Sequence, residues 1–330
     1  MQLFSLTRQL IDIESVTGNE KSVAVFLRDR LEKLGAQVDL EEAEPGRPNV
    51  VASWGKPDVV LSTHIDTVPP FFPSREDEQF IYGRGACDAK GILAAQIEAV
   101  CHLRAEGISD VGLLFLVGEE RNSAGAMAAN RKPRGARFLI NGEPTENKLA
   151  VGTKGVLRLE MEAKGKMAHS AYPELGESAT EKLVEALYRL RDMQLPEDPL
   201  LGNTTYNIGI LQGGIAPNVI PDSARAEVMY RLVGPGEELQ QAVGRAVGHL
   251  VAVKKVLEIP PVRLGRMDGL ETTVVAFSTD IPALTNWGQP FLLGPGSVRV
   301  AHTEHERIAK AELVQAVEIY AKMVKKLKEQ

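Results

Sequence analysis

Hydrophobic and polar positions along the first 150 residues switch between two periods. Residues 3–14 and 20–34 repeat their apolar positions at helical spacing, and Gly35 closes the second segment as a C-cap would. Short runs of β type follow: AQVDLEE, NVVASW and DVVLSTHID. ILAAQIEAVCHLRAE predicts a helix from about Gly91 to Gly107. VGLLFLVGEE then reads as a strand buried on both faces, and RFLINGEPT, from Arg137, as another. Strands alternating with helices predict an α/β sheet covered on both sides.

The pattern changes near Gly155. VLRLEMEAKG alternates apolar and polar residues, as a half-exposed antiparallel strand does. After it come a helix (ESATEKLVEALYRLRDM), two strands (TTYNIGILQGG and ARAEVMYRLVG), a helix (EELQQAVGRAVGHLVAV) and VLEIPPVRLG. That β-α-β-β-α-β order is the ferredoxin-like split pattern. After about residue 268 the α/β pattern returns and ends in a helix over 308–328. The expected organisation is therefore an α/β domain, 1–154 and 268–330, interrupted by an inserted α+β domain, 155–267.

Composition narrows the function. A formal net charge of −6 lacks the basic footprint of a nucleic-acid binder. No apolar stretch approaches the roughly 18–20 residues a membrane span requires. Asp12 and Glu14 break the apolar run of the N-terminal segment, so it reads as an amphipathic helix rather than a signal peptide. Two cysteines, Cys87 and Cys101, support neither a disulfide framework nor a zinc finger. A cytoplasmic location is the expectation.

Candidate chemistry collects where the buried runs end. His64 and Asp66 close DVVLSTHID, Glu119 and Glu120 close VGLLFLVGEE, and Glu143 follows RFLIN. Asp88 lies in the glycine-rich GRGACDAKG before a helix. Open α/β sheets place their sites at the carboxyl ends of strands. Taken singly, each residue has an ordinary reading: a hydrogen-bonded structural histidine, a solvated Glu-Glu pair, a glycine turn. Together, acids gathered at one edge repel unless a cation neutralises them. Imidazole and carboxylate donors without thiolate suit zinc, cobalt or manganese, and so many anions suit two ions sharing a carboxylate.

THIDTVP, GRGACDAKG, VGEE, NGEPT, GPG and AHTEHE occur in the order and approximate spacing of one family. The chain resembles the dizinc amidohydrolases and exopeptidases that include acetylornithine deacetylase, succinyl-diaminopimelate desuccinylase, aminoacylase and carboxypeptidase G. The resemblance implies a zinc-exopeptidase-like mixed sheet with a lid or dimerisation domain inserted. It implies two Zn ions, with Co or Mn as substitutes. His64 and Glu143 would serve one ion, Glu120 and His302 the other, and Asp88 both, with a cis Asp88–Ala89 peptide. Asp66 would orient His64, and Glu119 would be the general base. In KMAHSAYP, His169 matches a lid histidine that polarises the scissile carbonyl, supplied across the dimer in some relatives. Asn218 and Arg231, in PNVIPDSARAEVMYR, match residues that hold the oxyanion and a substrate carboxylate. Gly294, Pro295 and Gly296 resemble a pocket-lining turn.

One departure is His305, where the family usually has an acid. The resemblance points to hydrolysis of an N-acyl amino acid or short peptide, with acetylornithine deacetylase the leading activity, and to a homodimer through the lid. Desuccinylation, aminoacylase action, dipeptide cleavage and release of lysine or ornithine from an acidic carrier protein use the same residues. The carrier reading needs a basic rim, which Lys154, Arg158, Lys164 and Lys166 could supply. A non-catalytic binder would not need the intact Glu119, and a serine hydrolase would need a GxSxG elbow, which is absent.

Overall fold

A computed structural model describes residues 2–330 and divides into two compact units. The first comprises Met1–Val151, Leu264–Thr273 and Thr279–Gln330; the second comprises Gly152–Arg263 and Val274–Ser278.

The first unit is built on a mixed sheet. Its strands lie in the order Gln37–Glu44, Arg47–Ser53, Val111–Leu116, Val59–His64, Phe138–Asn141, Gln289–Leu292, ending where Leu292 pairs with Ala150. The four from Val111–Leu116 to Gln289–Leu292 are mutually parallel, and the hairpin 37–53 adds the antiparallel edge.

Period-2 geometry explains why the central strands carry no polar face. Val59 and Leu61, Leu113 and Phe115, and Phe138 and Ile140 enter a core on one side. Val60, Leu114, Leu116 and Leu139 enter a smaller core on the other, with Ala126, Ala129 and Trp287. The larger core is completed by helices Gln2–Ile11, Lys90–Ala105 and Lys310–Lys328. Trp287 is fully buried and donates its indole N–H to the Ala129 carbonyl at 3.1 Å, satisfying the one polar atom it brings.

The second unit is an antiparallel sheet in the order Thr205–Gly213, Ser223–Leu232, Gly155–Lys164, Ala252–Ile259. Helices Ala179–Arg191 and Gly236–Val247 cover one face. Leu157, Leu159 and Met161 meet Ala226, Val228 and Tyr230 in that core, so alternation sets which face is wet. Ser178 caps the first helix, accepting the Glu181 N–H at 3.2 Å. The second helix stops at Val247 rather than running on to Val253: residues 248–251 turn, and Ala252–Val253 open the last strand. Val253, near a helix end, fits either period, and here the sheet edge claims it.

Candidate metal centre

Parallel strands deliver their carboxyl ends to one edge of the sheet. His64 terminates Val59–His64, the turn 117–120 follows Val111–Leu116, and Gly142–Glu143 follows Phe138–Asn141. Gly142 is required there, since a Cβ would sit 2.4 Å from Ile92 and 2.6 Å from Gln96. Asp88 enters from the segment preceding helix Lys90–Ala105, and its peptide bond to Ala89 is cis, as the resemblance implies.

Two groups of donors meet at Asp88. His64, Asp88 and Glu143 each place a donor atom within 4.8 Å of the others, and so do Asp88, Glu120 and His302. Asp88 Oδ1 lies 2.9 Å from His64 Nε2, while Oδ2 lies 3.3 Å from His302 Nε2. His302 also approaches Glu120 at 3.0 Å.

The charges respond to this crowding. Burial alone raises the Asp88 pKa, but His302 and His64 overcome it and hold the carboxylate well below its usual range. His64 is fully buried, which disfavours its charge, yet Asp66 and Asp88 raise its pKa well above the ordinary value. His302 is pushed up to about 10 by Asp88 and Glu120. Burial pushes Glu119 and Glu143 well above the usual range, helped by Glu143, Asp280 and Glu120 for the first and by Asp88, Asp280 and Glu120 for the second. Glu143 Oε1 is buried without a hydrogen-bond partner. Raised pKa values on His64, His302, Glu119 and Glu143, with an orphaned oxygen among nitrogen and oxygen donors, fit a site built for divalent cations.

Asp66 meets His64 through its backbone rather than its carboxylate. The His64 Nδ1–H donates to the Asp66 backbone carbonyl at 2.9 Å, whereas the carboxylate lies 3.5 Å away. That bond leaves Nε2 as the lone-pair nitrogen facing Asp88. The Asp66 carboxylate instead accepts the backbone N–H groups of Glu119 and Glu120, at 3.1 and 3.3 Å, and the Thr17 hydroxyl at 2.8 Å.

Gly294, Pro295 and Gly296 are buried. A Cβ at Gly294 would lie 2.5 Å from the Glu143 carbonyl oxygen, and one at Gly296, whose φ is +87°, 2.6 Å from Cys87 Cβ. The turn therefore packs against the segments carrying Glu143 and Asp88. Cys87 is buried, and burial with the Glu306 carboxylate raises its thiol pKa well above the usual value, the opposite of an activated nucleophile. His305 is exposed, and its ring lies 3.5 Å from the Glu304 carboxylate.

In the second unit, His169 pairs with Val219 across a two-residue ladder, and the Ser170 N–H donates to the Asn218 carbonyl at 3.0 Å. His169 Nδ1 accepts the Ala171 N–H at 3.1 Å, so Nε2 carries the proton. Arg231 lies on Ser223–Leu232, half-buried, with no salt bridge among the described residues, and burial lowers its pKa. Of the four basic residues read as a rim, Lys154 is engaged with the Asn203 carbonyl and Arg158 lies 3.7 Å from Glu227.

Asp280 carries no motif and escapes a reading of strand ends. It is fully buried, neither carboxylate oxygen has a hydrogen-bond partner, and burial raises its pKa to about 7. Its charge also raises the pKa values of Glu119 and Glu143. Glu306 is another such residue; it sits inside AHTEHE, where only the histidines drew a reading.

A mixed α/β sheet with two donor triads sharing an aspartate at its carboxyl edge defines a metallohydrolase of the peptidase type. The chain belongs to peptidase family M20/M25/M40, which matches residues 60–326. It is 40% identical to a peptidase M20 domain-containing protein of Schizosaccharomyces pombe, over 98% of this chain and 84% of that one. It is 38% identical to a probable carboxypeptidase of Aspergillus clavatus, over 98% and 82%. The fold matches a tripeptidase of Staphylococcus aureus with a TM-score of 0.84, at 24% identity and covering 99% and 98% of the two chains. The protein is thus a metallopeptidase-family hydrolase acting on amide bonds. No helix is long and apolar enough to cross a membrane, among the described residues.

Proposed function

We propose that the protein hydrolyses the amide bond that precedes a free carboxylate, in a short peptide or an N-acyl amino acid, with two divalent cations held by its sheet edge. The observation that carries this reading is the shared carboxylate: Asp88 presents one oxygen to each imidazole. His64, Asp88 and Glu143 would hold one ion; Asp88, Glu120 and His302 the other. Zinc fits the donor set best, and cobalt or manganese can substitute. When bound, paired cations supply Lewis acidity to the scissile carbonyl and the attacking water.

The chain's own residues supply the rest. Glu119 holds no ion, and a carboxylate displaced upward from its usual range is suited to take a proton from the water and return it to the departing amine. Asp66 fixes the turn on which Glu119 stands. His169, with its proton on Nε2, is assigned as donor to the carbonyl oxygen, alongside Asn218. Arg231, lacking an acidic partner, is assigned to the substrate carboxylate, which its planar fork grips at two points.

Names of the relatives favour a peptide over acetylornithine, so a deacetylase is the second reading and peptide cleavage the first. Support for a homodimer comes from the outer strand Thr205–Gly213, which leaves Ile208, Ile210 and Leu211 exposed. The two cysteines are free, which suits a reducing cytoplasm. Amine release from dipeptides, tripeptides, N-acetylornithine, N-acetylmethionine and succinyl-diaminopimelate tests the reading. Release from one peptide class supports it. Preference for N-acetylornithine would establish the deacetylase instead, and silence across the panel with two ions bound would sink both.

A further inference from the structure

The segment carrying Asp88 is tied to the segment carrying His302 by one buried carboxylate. Strands Phe80–Tyr82 and Arg307–Ala309 run side by side, with Tyr82 opposite Arg307. From their ends leave the two loops that reach the candidate centre, 83–88 and 302–306. Glu306 bridges them. Its Oε1 accepts the backbone N–H groups of Cys87 and Asp88, at 3.3 and 3.2 Å. Its Oε2 accepts from Arg84 Nη1 at 2.6 Å, and Arg84 Nε donates to the Pro70 carbonyl at 3.2 Å. Both side chains are almost completely buried, Glu306 at 1% exposure and Arg84 at 2%.

Stability does not account for such a pair. Withdrawing a carboxylate and a guanidinium from water costs several kcal/mol per ion, and a well-packed apolar pair of similar volume is often as stable. What an apolar pair cannot do is accept two consecutive backbone N–H groups and so fix the peptide leading into Asp88. Four residues before Glu306, His302 adopts φ +62°, in the left-handed region, and faces Asp88 Oδ2 at 3.3 Å. The spacing between these two donors therefore depends on two loops far apart in sequence, and Glu306 is the side chain that joins them.

We propose that Glu306 is a positioning residue, set by Arg84, whose grip on the Cys87 and Asp88 amides places Asp88 and His302 at the separation one divalent cation requires. The proposal rests on the two-cation reading above. It makes Glu306 part of the affinity for the ion held by Asp88, Glu120 and His302, although it touches neither ion nor substrate. Residues that orient metal ligands from behind change affinity by on the order of 10–100-fold when altered.

Two variants separate grip from charge. Glu306→Asp keeps a charge facing Arg84 but withdraws the carboxylate from the two amides. The double variant R84Q/E306Q removes both charges while keeping an acceptor for those amides. Metal-stripped parent and variants are titrated calorimetrically with zinc, and the melting temperature of each metal-free protein is recorded. Glu306→Asp is expected to weaken the second zinc on the order of 10–100-fold, with a metal-free melting temperature close to the parent's. R84Q/E306Q is expected to bind both ions like the parent. Parent-like binding by Glu306→Asp would overturn the proposal. So would zinc affinity that falls in both variants in step with the metal-free melting temperature, which is what a purely structural ion pair gives. A parent chain that binds no zinc is a separate failure, that of the two-cation reading.

Discussion

The Asp66 carboxylate receives the backbone N–H of Glu119 at 3.1 Å, with its second oxygen receiving that of Glu120 at 3.3 Å. One buried aspartate thereby sets both the tautomer of His64, through its carbonyl, and the turn that presents Glu119 and Glu120. Asp66→Asn keeps the volume but can aim an amide N–H at backbone donors. Its kcat should fall on the order of 10–100-fold with KM little changed, as measured by steady-state kinetics. An equal loss in affinity for substrate would point to pocket damage instead.

Glu119→Gln removes the proton acceptor while leaving all five candidate metal donors in place. Turnover should drop by roughly 100–10,000-fold. Zinc content after dialysis should match the parent, which elemental analysis checks.

Arg231 is the candidate for reading a free carboxylate. Arg231→Ala should raise KM on the order of 10–100-fold for substrates ending in a carboxylate, since a hydrogen bond to a charged group contributes about 1.5–3 kcal/mol. The corresponding amides should be affected little. Comparing each peptide with its amide in both proteins decides the point.

Away from the centre, Asp58 receives Arg137 Nε and Nη2, each at 2.6 Å. That pairing holds the Asp58 carboxyl below its ordinary range against partial burial. A lowered folded-state pKa stabilises the fold above the unfolded-state value and loses that contribution as pH falls through the folded one. Because Arg137 is about half exposed, solvent screening keeps the gain small. Asp58→Asn should therefore be slightly less stable than the parent in urea at pH 7. The difference should vanish as pH drops below the ordinary aspartate range.

Sequence alone carried far where local rules dominate. The strand ends that carry His64, Glu119, Glu120 and Glu143 are legible because buried parallel strands are uniformly apolar and stop abruptly at polar residues. The split order of the second unit is legible from its alternating strands and amphipathic helices. Long-range pairing is different. That Asp66 would spend its carboxylate on the Glu119 turn, or that Glu306 would reach Arg84 across 222 residues of sequence, depends on tertiary geometry that leaves no periodic mark. Asp280 was invisible for the same reason, since STDIPAL offers neither a strand pattern nor a recognisable ligand spacing. The return of Val274–Ser278 to the second unit is likewise unmarked by hydropathy.

The central claim is that one aspartate serves two cations and that both are needed for hydrolysis. Metal-stripped protein, titrated with zinc while amine release from a preferred peptide is followed, tests it most directly. The account predicts negligible turnover without metal and a plateau at two equivalents per chain, with His302→Ala stopping at one equivalent and remaining nearly inactive. Full activity in the verified metal-free protein, or a plateau at a single equivalent unaffected by His302→Ala, would contradict it.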